Sequence, residues 1–434
     1  MTKQTHKKTT KKPPVQKKKG PKRHIRKSLL IIPFIIASLL FVIIQVPDLI
    51  SSSRLKKLGY TSSTIENIKA QGLTATILEK GYYSDYLVQS INDGSLNKEY
   101  MFLYNVVSPD RGLTDADFLL YSRLEEIGYE ADQLENLYAN LDFYELTPLL
   151  IYDYQWDESR YIDDCKTNHG KNNLGSFTLD GDYLTDYKIQ EDITNFDTDM
   201  LVNEKYTLPQ TYAPADLSDI DQQYAVPDMK MESEAARAYT EMAAAAVQNG
   251  TPFFASRTYV SYDDQAAFYQ TLSSRMDEED ADVYERRPGH SEHQTGLSVR
   301  VVPTFENVDD FTKTDVYAWL HSNCTKYGFI ERYPLSKSQI TRVDKRPGEF
   351  RYVGKDLAEK VKDSGLTYDE YYCLYLKDWD ENTYIPPESV LDATGASRSI
   401  KGQEKAEETA EPQESAETEE TASPEASASA DTQQ

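Results

Sequence analysis

For a chain of 434 residues there is little cysteine, histidine or tryptophan: three Cys, six His and three Trp. Cys165, Cys324 and Cys373 show no CxxC spacing, so a cysteine-built zinc site is not suggested, and an odd number permits at most one intramolecular disulfide. Cys324 and Cys373 share the later part of the chain and are the favoured pair, with the pairing left open by sequence. Acids are absent from the first 27 positions, which hold 12 of the 47 Lys and Arg. Beyond them bases are scarce, 35 against 72 acids, a charge of −37. A field of that sign repels nucleic acid and anionic lipid surfaces and favours solubility, so no nucleic-acid partner is expected.

Charge of either sign is missing from Ser28–Pro47, SLLIIPFIIASLLFVIIQVP. Twenty helical residues at about 1.5 Å each cross a hydrocarbon core of about 30 Å. The run is longer than a signal-peptide core, and QVPDLISSSR offers no small-x-small cleavage site. A retained transmembrane anchor over 28–50 is therefore expected in preference to a cleaved signal. The basic tail 1–27 then stays cytoplasmic and the bulk of the chain extracytoplasmic, as in a single-pass cell-membrane protein.

Residues 51–195 read as a mainly helical spacer. LKKLGYTSSTIENI at Leu55–Ile68 returns as LEEIGYEADQLENL at Leu124–Leu137, 69 residues on. In each copy an apolar step meets Gly-Tyr, then an acidic or Ser/Thr-rich turn and an apolar-Glu-Asn-apolar step. The pattern predicts a helix end, a glycine C-cap and a second helix. Such a tandem repeat serves either as a partner- or wall-holding pair of modules or as a spacer that packs only on itself. At the other end, residues 387–434 are acidic, rich in Pro, Ser and Ala and free of aromatics, the composition of a disordered tail.

Between them, 196–386 has the texture of a compact domain. LVNEKYTLPQTYAPADL is extended and proline-marked. MESEAARAYTEMAAAAVQNG is an Ala-rich amphipathic helix closed by Asn-Gly. TPFFASRTYVS alternates as a strand does, and YDDQAAFYQTLSSRM predicts a second helix. TKTDVYAWLHSNCTKYG, the strand GEFRYVG and a helix around KDLAEKVKDSG follow. Helices mixed with short strands place the domain in the α+β class.

The stretch RRPGHSEHQTGLSVRV, Arg286–Val301, puts a histidine on a Pro-Gly-led turn ahead of an apolar strand. With YVSYDDQ, AWLHSNCTKYGFIERYP and RPGEFRYVG in the same order, the region Leu201–Tyr372 resembles the VanY-type D-alanyl-D-alanine carboxypeptidases. These are zinc enzymes that remove the terminal D-Ala from peptidoglycan stem peptides. The resemblance implies a zinc D,D-peptidase-like domain with a small central antiparallel sheet and flanking helices, preceded by the spacer and the membrane helix.

Carried over residue by residue, the resemblance keeps the frame and loses the chemistry. The family's first zinc histidine is kept as His293, but its aspartate ligand is replaced by Arg300. The family's Glu-Pro-Trp-His, holding the general base and the third zinc ligand, reads Arg346, Pro347, Gly348, Glu349. Val260 stands where the family has an arginine for the substrate carboxylate. Guanidinium has no lone pair to give and does not deprotonate in proteins. Two unit charges about 4 Å apart repel by roughly 4 kcal/mol at an effective dielectric near 20, and a dication doubles that. Arg346 is no general base either. No catalytic residue and no cofactor are therefore expected. Ser261, Gln265, Ser291, His293, Arg300, Arg346 and Glu349 are the candidate ligand-binding residues, with Glu349 expected to pair with Arg300, Arg346 or both.

Three readings follow. The favoured one is a catalytically inactive module that binds peptidoglycan stem peptides or an envelope protein through the inherited cleft. The second is an active metal-dependent D,D-carboxypeptidase whose zinc is held by an atypical set such as His290, His293 and Glu349. The third is a structural module with a closed cleft. His321 is expected to be packed or partly exposed, and His169 to sit in a polar loop without a ligand partner.

Overall fold

A computed structural model describes residues 46–152, 158–168, 190–304, 310–341, 343 and 346–377. They fall into two compact units, one ending at Tyr83 and the other beginning at Ser84. The basic segment 1–27, most of the predicted anchor, His169 and the tail 387–434 lie outside the described residues. Among the described residues no helix is long and apolar enough to cross a membrane.

In the first unit a helix over 46–58 turns into Ser62–Ala70 and then Thr74–Lys80. Leu55, Ile65, Ile68 and Ile77 form its buried stripe. The turn is a Schellman cap: Gly59 N–H donates to Lys56 O at 3.1 Å and Tyr60 N–H to Leu55 O at 3.2 Å, with Gly59 at φ +116°. The same pair of bonds recurs in the second unit after the helix Asp115–Glu126. There Gly128 N–H reaches Glu125 O and Tyr129 N–H reaches Leu124 O, both at 3.0 Å, before the helix Ala131–Asn140 begins.

In the second unit the helices over 85–168 share a compact body with the sheet. Among the described residues, hydrogen bonds tie them to the later helical segments: Thr147 Oγ1 donates to Glu370 at 2.8 Å, Tyr152 Oη to Ile340 O at 2.9 Å, and Tyr375 Oη to Asp115 at 2.9 Å. Short pairings frame the extended segment: β1 (Glu191–Asp192) lies parallel to β2 (Tyr206–Thr207), and β3 (Leu217–Asp219) antiparallel to β4 (Lys230–Glu232). The central sheet is antiparallel, with β5 (Phe253–Arg257), β6 (Ser298–Pro303), β7 (Phe329–Glu331) and β8 (Glu349–Tyr352) in the order β5-β6-β8-β7.

The two faces of this sheet differ because side chains alternate along each strand. Phe253, Ala255, Val299, Val301, Phe329 and Phe350 join a buried cluster with the helix Ser233–Asn249, which contributes Ala235, Tyr239, Met242, Ala243 and Ala246 at helical spacing. The opposite face carries Ser298, Arg300, Glu349 and Arg351, and there the polar site is built. All three cysteines are buried and none forms a disulfide, so the favoured Cys324–Cys373 bridge is not formed. Cys324 packs in the core cluster and Cys373 lies in the last helical turn, and burial pushes both thiols up to about 12.

Candidate functional site: an arginine–carboxylate cluster

Strand register decides which residues meet. Arg300 on β6 faces Glu349 on β8, and on its other side faces Arg257 on β5. Regular pairing after Ala255 and Val301 would set Ser256 against Arg300. A bulge between Ala255 and Arg257 brings the arginine into that place instead, the kind of irregularity that re-aims a side chain beside a site. The result is a row Arg257, Arg300, Glu349 across three strands. Like charges directly opposite destabilise a sheet unless carboxylates intervene, and here two do. Arg257 Nη1 lies 2.6 Å from Glu285 Oε2, and Arg300 Nε donates to Glu349 Oε2 at 2.9 Å.

Glu349 is buried, and its second oxygen lies against His293 Nε2 in ion-pair range. Burial opposes its ionisation, but Arg300 first and His293 second hold its carboxyl well below the usual carboxylate range. Glu349 in turn raises the pKa of Arg300. Among the described residues His293 Nδ1 is buried without a hydrogen-bond partner, and Nε2 has the close contact with Glu349 but no hydrogen bond of ordinary geometry. Arg346 does not join this pair. Its guanidinium donates to the backbone carbonyl of Tyr284, and burial lowers its pKa despite the pull of Glu285.

Other candidates serve the frame. Ser261 caps the helix Tyr262–Ser273, accepting from Asp264 N at 3.1 Å and donating to its carboxylate at 2.6 Å. Gln265 is fully buried, receives Arg257 at 2.9 Å, and donates to Glu285 at 3.1 Å and to Arg286 O at 2.6 Å. Ser291 is buried at the entry to the 3₁₀ turn Glu292–Thr295 that carries His293. Val260 is buried, and its N–H donates to His293 O at 3.1 Å, so the connection between β5 and the helix Tyr262–Ser273 still anchors the histidine turn. Glu292, between Ser291 and His293, points elsewhere, to Arg332 at 2.8 Å within a buried network that includes Asp369.

The alternative metal set is not assembled. The ring Nδ1 of His290 lies 2.8 Å from Asn203 O, and burial lowers its pKa to about 4. Among the described residues no group of three His, Cys, Asp or Glu side chains is placed to hold a metal ion. A catalytic zinc site needs three protein donors and a water; here His293 and Glu349 are the donors at hand, committed to each other and to Arg300. His321 is 62% exposed, stacks on Tyr317 and reaches Glu331 at 3.1 Å. Arg257 and Glu285 are the site residues that the sequence reading missed. The one available signal was an arginine at the end of a predicted strand, and it gives no hint of the bulge.

The VanY D-alanyl-D-alanine carboxypeptidase family model matches residues 228–355. A putative carboxypeptidase YodJ of Bacillus subtilis (strain 168) is 34% identical over 220 residues, which is 48% of this chain and 80% of that protein. A D-alanyl-D-alanine carboxypeptidase of Enterococcus faecium is 29% identical over 188 residues, 41% of this chain and 58% of that one. The solved LdcB LD-carboxypeptidase is 36% identical and overlaps 43% of this chain and 90% of its own, at a TM-score of 0.41. With the family model matched over 228–355 and a relative 34% identical over 80% of its length, the chain belongs to the VanY family of D-alanyl-D-alanine carboxypeptidases.

Proposed function

We propose that this is a membrane-anchored, extracytoplasmic protein whose VanY domain binds peptidoglycan stem peptides without cutting them. The observation that carries the reading is the closed ion-pair set His293–Glu349–Arg300 at the positions where the family resemblance implies a zinc cage. Three carboxylate or imidazole donors are needed there, and one position holds a guanidinium that offers none. Arg346, at the general-base position, cannot accept a proton from an attacking water. What remains is a polar cluster rich in arginine, suited to anionic groups of a ligand. The relatives that are D-alanyl-D-alanine carboxypeptidases support a peptide ending in D-Ala as that ligand, and the charge-free run before Asp48 supports the anchor.

The test is made on the full chain purified in mild detergent. After incubation with zinc and desalting, metal analysis is expected to find well under one zinc per chain, and a pentapeptide ending in D-Ala-D-Ala is expected to release no D-Ala. The same peptide is expected to bind, measured by calorimetry. Stoichiometric zinc together with D-Ala release would show a working enzyme and end this reading.

A further inference from the structure

Among the described residues the charges of this arginine cluster do not balance. It gathers four guanidinium groups. Arg286 is paired with Glu204, Arg257 with Glu285 and Arg300 with Glu349. Arg346 has no carboxylate within ion-pair range among the described residues; its one hydrogen bond goes to the carbonyl of Tyr284. Of its five N–H donors, only the one bonded to Tyr284 O has a protein acceptor among the described residues. Both nearby carboxylates act on Arg346 only through space, because Glu285 is held by Arg257 and Gln265, and Glu349 by Arg300 and His293. Arg346 is only partly buried, so its remaining donors are open to a ligand, and burial on its inner side lowers its pKa.

The rim beside it is apolar and open. Tyr284, whose carbonyl positions Arg346, is 65% exposed. Phe268, under the guanidinium of Arg257 at 5.3 Å, is 50% exposed. Exposed aromatics next to arginine are the composition of binding hot spots.

We infer that Arg346, and not Arg300, is the residue that recognises the ligand, by taking the free C-terminal carboxylate of a peptide as its missing counter-ion. This rests on the peptide-binding reading above and sharpens it. The position where the resemblance implies a catalytic base becomes the anchor for a carboxylate, and Val260, where the family's carboxylate-binding arginine is absent, contributes backbone only. Among the described residues Arg346 is the guanidinium of the four without a carboxylate partner, so a ligand with its carboxylate neutralised should lose most of its affinity.

The experiment compares a synthetic pentapeptide ending in D-Ala-D-Ala as free acid and as C-terminal amide, by calorimetry on the full chain in detergent. The acid is expected to bind about tenfold or more tighter than the amide, the ordinary worth of a charge-assisted hydrogen bond. Arg346→Gln should bring both peptides to the amide's affinity, and Arg346→Lys should keep part of the preference. Circular dichroism and thermal melting confirm that the variants fold. If Arg346→Gln does not fold, Arg346→Lys decides: an acid preference undiminished from wild type overturns the assignment. Equal binding of acid and amide to the wild type also overturns it while leaving the peptide-binding reading intact. If neither peptide binds, the peptide-binding reading fails and takes this inference with it.

Discussion

Glu349 is the residue on which the pocket's electrostatics depend. Its carboxylate sits between Arg300 and His293, with Arg346 contributing from further away. Removing one partner of a buried ion pair leaves the other charge uncompensated, at about 3–5 kcal/mol. Arg300 is one-third exposed, so water screens it and the loss for Glu349→Gln belongs at or below the lower end of that range. The sign of the pH dependence follows from the depressed folded-state pKa. Above the ordinary carboxylate value of about 4.5 the carboxyl is ionised in folded and unfolded chains alike, and its full stabilisation is present. As pH falls below that value the unfolded chain takes up a proton that the folded chain refuses, and the stabilisation is lost. Denaturant midpoints of wild type and Glu349→Gln should therefore lie well apart at pH 7 and converge below about pH 4.5. Equal midpoints at pH 7 would mean that the ion pair contributes nothing to stability.

At the scale of elements, what local chemistry dictates was legible and what register dictates was not. Gly59 and Gly128 announce their caps because only a residue at ease with positive φ closes those turns. The helix Ser233–Asn249 and the strand Glu349–Tyr352 follow from periodicity and end signals. The pairing of Glu349 with Arg300 rather than Arg346 depends on β6 lying against β8, a long-range fact that no local pattern encodes. The place of Arg257 depends on a one-residue bulge, and the sequence is silent about it. The same register supplies a test of how the family positions map onto this chain. With 300 and 349 opposite each other and 349 against His293, the combined change Val260→Arg, Arg300→Asp, Arg346→Glu and Glu349→His gathers two histidines and an aspartate at one point. Three such donors are a catalytic zinc set. The folded quadruple variant is expected to take up about one zinc per chain by metal analysis, and the wild type far less. A folded variant that stays metal-free would show that these positions are matched to the family wrongly.

The whole molecule bears on where the binding domain begins. Sequence texture places its start near residue 196, since composition and proline content change there. The structure joins the helices from Ser84 onward to the same compact unit as the sheet. The linking groups are buried or partly buried: Thr147 meets Glu370 inside the unit, and Glu370 also closes the capping box of the helix Tyr368–Tyr371 with Thr367. Tyr152 and Tyr375 send their hydroxyls across to Ile340 O and Asp115. Deleting 84–195 would therefore uncover apolar surface at about 25 cal/mol per Å² and leave Glu370 without one of its buried donors, a cost of about 1–3 kcal/mol for such a group. A fragment covering 84–377 is expected to unfold in one cooperative transition. A fragment covering 196–377 is expected to melt several degrees lower or to aggregate, because a loss of about 1 kcal/mol already shifts the midpoint of a domain of this size by about 2–4 °C. Scanning calorimetry of the two fragments side by side is the measurement. Identical midpoints would mean that the helices from Ser84 onward add nothing to the sheet domain and serve only as a spacer.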